Sequence, residues 1–217
     1  MFDMHLRRDY GAPELPGGDT MTAGLSGTGR VADDLYLMAH HEVTGKPFVQ
    51  PRALGAGLAG ALLAELMLGA GIGLRSDGAL LPGRSQPTDE LARQVRNLIA
   101  AEQEPHPVRD WLLFLAGTAA DDVAGRLERS GYLKRAGRRP SWRRGRPVPV
   151  NPDWAFSPLV RVRSALDPAR PLGLLPARWA VLAGLAVVMG SSRLPCAIPP
   201  ALRNAVGYLR LPRSENM

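Results

Sequence analysis

Seven basic side chains crowd into one stretch, Leu133 to Val150, which reads LKRAGRRPSWRRGRPVPV. They are Lys134, Arg135, Arg138, Arg139, Arg143, Arg144 and Arg146, with no acid among them and Trp142 between the arginine pairs. Their +7 equals the formal net charge of +7 for the whole chain, so everything else sums to zero. Guanidinium groups at this density do one kind of chemistry: they bind anions, by paired hydrogen bonds to phosphate oxygens and by their summed field. An indole between them has an amphipathic ring suited to a bilayer interface. The two matching anionic partners are a lipid headgroup surface and a nucleic acid. The plain alternative is a solvated basic loop with no partner.

Other residue types that could do chemistry do not assemble into a reaction. No GxGxxG or GxxxxGK[ST] loop occurs in a strand-to-helix context, since Gly69–Gly73 follows a helix. No GxSxG elbow and no Ser, His, Asp set is present. The acidic pairs Asp33-Asp34 and Asp121-Asp122 are adjacent on helices, so each diverges by about 100° and reads as a solvated face. His40 and His41 precede Glu42, but no HExxH-type spacing supports a metal, and His106 reads as a loop residue. Glu65 reads as a charge pointing outward near a helix end. The lone Cys196 excludes an internal disulfide and a thiolate cluster, and reads as a small buried hydrophobe. The expectation is a protein without catalytic residues, metal or cofactor, and not an enzyme.

The elements that must position the basic stretch are mostly helical. A chain of 217 residues with 45% hydrophobic content can bury a sizeable core. Only Lys46 and Lys134 are lysines; an arginine bias of this kind can follow from base composition, but the clustering does not. The N-terminus lacks the layout of a signal peptide. The longest weakly charged run, Ala53 to Leu74, is rich in Gly and Ala and carries Glu65, so it reads as a buried helix and not a membrane span. Any membrane contact is therefore expected to be peripheral, on the cytoplasmic face.

Periodicity predicts helices over Val31–His41, Ala53–Met67, a segment opening at Pro87–Glu90 with Thr88 as N-cap, Val108–Ala116, Ala119–Ser130, Leu159–Leu166, Ala177–Met189 and Pro199–Leu211. Leu91, Val95, Leu98 and Ile99 form one stripe, and Trp111, Leu112, Phe114 and Leu115 are core candidates. Asp77-Gly78 turns a short hairpin between Ile72–Arg75 and Ala79–Leu81. Gly137 and Pro140, with Pro147 and Pro149 closing, make the basic stretch a second hairpin and not a helix, two short flanks, Gly131–Leu133 and Pro147–Val150, joined by a long basic loop. The chain divides into a Gly- and Pro-rich tail over 1–30, expected to be disordered, a helical domain over 31–211 and a polar tail over 212–217.

The order of these segments resembles a known family. ADDLYLMAHHEVTGKPF, LAGALLAELMLGAGIGL, PTDELARQVRNLIAAEQEPHPVRDWLLFLAG and VAGRLERSGYL are similar to the GPP34 family, the relatives of Golgi phosphoprotein 3. The resemblance implies a mainly α fold, a helical bundle core ringed by amphipathic helices, with short β-hairpins including a projecting hairpin that contacts membrane and mediates oligomers. It also implies binding of phosphoinositide, phosphatidylinositol 4-phosphate in eukaryotic members, and an adaptor role toward client proteins. The family's headgroup Trp and Arg positions fall at about Gln50, Ala59, Gly117 and Ala120, none of which matches. Arg52, Arg126 and Arg129 lie near enough in sequence to form a replacement pocket.

The leading expectation is thus a peripheral membrane adaptor that binds anionic headgroups through Lys134, Arg135, Arg138, Arg139, Trp142, Arg143, Arg144 and Arg146. Each basic group near an anionic surface contributes about 1 kcal/mol. A helix, Gly131 and a basic hairpin also describe a winged-helix wing for DNA, although Asp121, Asp122 and Glu128 on the preceding helix would repel phosphates. A scaffold that self-associates through the hairpin, or grips an acidic protein, is the third reading.

Overall fold

The structure, a computed structural model, describes residues 27–136, 145–165 and 176–190. Among these residues are seven helices and two separate antiparallel two-stranded sheets, the mainly α arrangement expected. The predicted helix Pro199–Leu211, the tail beyond it, Cys196 and residues 1–26 lie outside the described residues.

Two helices form the centre. Helix α1, Val31–Ala39, has every residue buried and packs against four other helices. It stops two residues before the predicted end, because His40 turns extended and pairs with Pro47. Helix α2, Pro51–Leu68, opens on Pro51, whose missing N–H costs nothing in a first turn. Leu54, Leu58, Leu62 and Leu66 repeat every four residues and are buried. By length and apolarity α2 could cross a bilayer, but here it packs against five neighbouring helices. Small residues permit that: a Cβ at Gly55 would overlap the carbonyl oxygen of Ala116 on a neighbouring helix.

Strands β1 (Ile72–Leu74) and β2 (Leu80–Pro82) pair with Ile72 opposite Pro82, and Gly78 takes the positive φ of 85° at the predicted turn. Helix α3, Glu90–Ala101, is capped by Asp89 and not by Thr88: the Asp89 carboxylate accepts the Ala92 N–H at 2.9 Å. Helix α4, Val108–Ala116, buries Trp111 and Leu115 as predicted. Phe114, a core candidate by its spacing, is instead 64% exposed, and with Leu98 and Trp111 it lines a groove of about 240 Å³. Helix α5, Ala119–Arg129, ends at Gly131 with φ 76°.

Strands β3 (Leu133–Ala136) and β4 (Arg146–Pro149) form the second hairpin. Helix α6 runs Asp153–Ala165, starting six residues earlier than predicted and holding a buried Pro158. Helix α7, Ala177–Val188, buries Trp179, Leu182, Ala183 and Ala186, and lies against α1, α2 and α6. The two strands that flank the basic loop are therefore paired and mounted on the end of α5, beside a continuous apolar core.

Candidate functional site

The hairpin is buried at its root and exposed along its length, with Leu133 opposite Pro149 at the buried end. Leu133 and Val148 are buried, while Lys134, Arg135 and Arg146 are exposed. Lys134 faces Val148 and Arg135 faces Pro147 across an antiparallel register. Tyr132 packs edge-on against Trp154 at 4.9 Å, and its carbonyl accepts the Val150 N–H at 2.9 Å, so both strands are tied at the root. Gly145 permits the close approach that shuts the strands, since a Cβ there would lie 2.5 Å from the Ala136 carbonyl oxygen.

The described basic residues divide by role. Arg135 is engaged: its guanidinium pairs with Glu128 of α5 at 2.8 Å and donates to the Gly145 carbonyl at 3.1 Å. It holds the hairpin to the helix before it. Lys134 and Arg146 stand on the exposed surface. Arg138, Arg139, Trp142, Arg143 and Arg144 lie outside the described residues.

The three arginines read as a replacement headgroup pocket differ in environment. Arg52 is exposed in the first turn of α2, and Arg129 is exposed at the end of α5. Arg126 is 2% exposed and belongs to a buried charge cluster. Its Nε donates to Asp33 Oδ1 at 2.8 Å, and its Nη1 reaches Glu65 Oε2 at 3.1 Å and Asp89 Oδ2 at 3.0 Å. A lipid phosphate at Arg126 would have to displace three carboxylates, so this arginine is a tie between α5, α1, α2 and the cap of α3.

The same cluster corrects two further expectations. Glu65 does not point outward: Oε1 accepts the Ala32 N–H at 2.7 Å at the start of α1, and Oε2 binds Arg126. Asp33 and Asp34 are not a solvated face; they are 1% and 2% exposed. They do diverge as helix geometry requires, and each finds its own partner. Asp33 takes Arg126, while Asp34 Oδ1 accepts the Thr28 N–H at 2.8 Å and its hydroxyl at 2.9 Å. Arg30 closes the rim, 3.5 Å from Asp89 and 3.7 Å from Asp33. Thr28 and Arg30, assigned by sequence to the disordered tail, are therefore tied to the acids of α1.

Burial pushes the Asp33 carboxyl up to about 6, with Arg126 opposing and Glu65 adding to the rise. Burial also lifts Asp34 to about 6, against the hydrogen bonds from Thr28. Burial raises Asp89 too, but the Ala92 amide and Arg126 outweigh it and hold this carboxyl below its ordinary value. A raised carboxyl means that the folded state holds its proton more tightly than the unfolded chain. The stability it contributes is complete below about pH 4 and is lost as pH rises through about 6. Burial lowers His40, whose contribution runs the other way, present at high pH and lost on acidification. Asp33→Asn removes one of the two raised groups and leaves His40 untouched. Its stability between pH 4 and 6 should decline less steeply than the wild type's, by up to about 1.4 kcal/mol per pH unit. Urea titrations across that range test this; parallel curves would refute it.

Fold and site together define a mainly helical domain that carries a cationic hairpin on a buried bundle. The family model described as Golgi phosphoprotein 3 (GPP34) matches residues 31–196, and the chain belongs to that family. The family is of the non-enzymatic, adaptor type, and membership suggests a Golgi-phosphoprotein-type adaptor. No curated protein matches the chain.

Proposed function

We propose that this protein is a peripheral membrane adaptor that binds anionic lipid headgroups through the basic hairpin, on the cytoplasmic face of a membrane. The observation that carries the reading is the mounting of the hairpin. Its root is pinned by Leu133, Val148, Tyr132 and the Arg135–Glu128 pair, while Lys134 and Arg146 are left exposed. A pinned root lowers the ordering cost of presenting the arginine-rich tip to a flat charged partner. Family membership supports the adaptor role, with a protein client and self-association through the hairpin as the accompanying partners. The mismatched pocket positions at Gln50, Ala59, Gly117 and Ala120, with Arg126 enclosed by carboxylates, favour general anionic lipid over selective phosphatidylinositol 4-phosphate.

Liposome co-sedimentation tests this. The full chain should pellet with phosphatidylserine vesicles and with phosphatidylinositol 4-phosphate vesicles of equal surface charge, and remain in the supernatant with phosphatidylcholine. Binding should weaken steeply from low salt to 0.15 M, where the screening length is about 8 Å. Retention independent of lipid charge would sink the reading. A salt-dependent shift of duplex DNA without vesicle binding would replace it with the wing reading.

A further inference from the structure

We infer that the turn from Glu42 to Lys46 is a second membrane contact, which docks Val43 and Lys46 beside the hairpin; this rests on the lipid-binding reading proposed above. The turn sits directly on the basic hairpin. A Cβ at Gly45 would overlap the Pro147 carbonyl oxygen, and would come within 3.0 Å of a Val148 methyl and 3.2 Å of Arg146 Cγ. Gly45 is buried in that contact and takes φ 61°, a backbone state that only glycine adopts without strain. The contact covers the β4 residues Arg146 to Val148, the first three of the strand.

The turn is also shaped to present its side chains. The Gly45 N–H donates to the His41 carbonyl, and the His41 N–H donates to the Lys46 carbonyl, both at 2.8 Å. His41 Nδ1 accepts from Val43 N–H at 3.1 Å, a second brace across the same loop. At the root, His40 pairs with Pro47 in a bridge. What this frame holds outward is an apolar residue and a cation: Val43 is 66% exposed, the most exposed of the large hydrophobic residues described, and Lys46 is exposed next to Gly45. Glu42, the one acid of the turn, keeps its side chain mostly covered at 16% exposure and lies 3.9 Å from the His41 ring.

An outward valine and lysine on a braced turn, against a strand whose own outward residue is Arg146, match a surface with anionic headgroups above and acyl chains below. A duplex offers no apolar layer for Val43, and the turn's lysine would serve either partner. The lipid surface is the partner that uses both residues.

The test uses the full chain with Val43→Cys on a Cys196→Ser background, carrying an environment-sensitive fluorophore, and phosphatidylcholine vesicles with or without phosphatidylserine. With phosphatidylserine the label should shift to the blue and become shielded from an aqueous quencher; with phosphatidylcholine alone it should do neither. A separate Lys46→Glu variant, changed at an exposed side chain, should bind phosphatidylserine vesicles about tenfold more weakly. If the chain still pellets with these vesicles while the label stays in water and Lys46→Glu binds like wild type, the second contact is overturned and the hairpin reading stands. If the parent chain does not pellet at all, both fall.

Discussion

Arg126→Met should cost about 3–5 kcal/mol of folding stability, the largest loss expected from one substitution among the described residues. For a chain of this length that is a fall in melting temperature of roughly 10 °C. Three carboxylates, Asp33, Glu65 and Asp89, face one buried guanidinium, and Arg30 reaches the rim from a half-exposed position. The cluster is therefore rich in acid. Removing the arginine leaves three carboxylates with only Arg30 near them, two of which also anchor backbone N–H groups at the starts of α1 and α3.

The opposite change is mild. Asp33→Asn keeps an oxygen for Arg126, removes one excess negative charge and leaves Glu65 and Asp89 in place. The raised carboxyl of Asp33 says that the folded state already favours this group without its charge. At pH 7 this variant should be at least as stable as wild type, and in the double variant it should recover part of the Arg126→Met loss. Chemical denaturation of the two single variants and the double variant measures all three terms. An Arg126→Met loss below about 1 kcal/mol would show that water reaches the cluster and the tie is superficial.

This asymmetry was hidden in the sequence, and the reason is physical. Asp33, Glu65 and Asp89 lie 93, 61 and 37 residues along the chain from Arg126, so no local spacing could announce their convergence. The usual inference that adjacent acids on a helix face water failed because α1 has no solvent side at all. Glu65 carried a usable signal: it is the lone charge inside the apolar run of α2, and a lone charge in such a run needs either water or a partner. Asp89 and Thr88 are both competent caps, and only the tertiary pairing with Arg126 and Arg30 distinguishes them.

What the sequence did make legible follows from strong local rules. The Asp77-Gly78 turn, the Gly131 stop and the helices Val108–Ala116 and Ala177–Val188 stand where turn chemistry and periodicity put them. The basic hairpin was legible because prolines and glycines forbid a helix there, but its strands, Leu133–Ala136 and Arg146–Pro149, reach further toward the loop than the flanks Gly131–Leu133 and Pro147–Val150 that turn chemistry suggested. Its seating was not. The Arg135–Glu128 pair offsets the charge of one of the seven cations, and the Gly45 contact brings in a lysine from a loop almost a hundred residues earlier.

That redistribution sets the size of the second large effect. Replacing Arg143, Arg144 and Arg146 together by Gln should weaken binding to phosphatidylserine vesicles about 100-fold at low salt, because three cations near an anionic surface contribute about 3 kcal/mol. Stability should hardly change, since Arg146 is exposed and its strand is seated by Val148 and Pro149, which remain. Arg135→Gln should behave differently. It removes one charge and also the tie to α5 and to the Gly145 carbonyl, so it should lower both vesicle binding and the thermal midpoint. Co-sedimentation and thermal melts on the same preparations separate the two kinds of arginine. If the triple variant pellets like wild type, the hairpin is not the anionic-surface site. If Arg135→Gln loses binding with an unchanged midpoint, Arg135 meets the lipid directly and the Glu128 pair opens on the membrane.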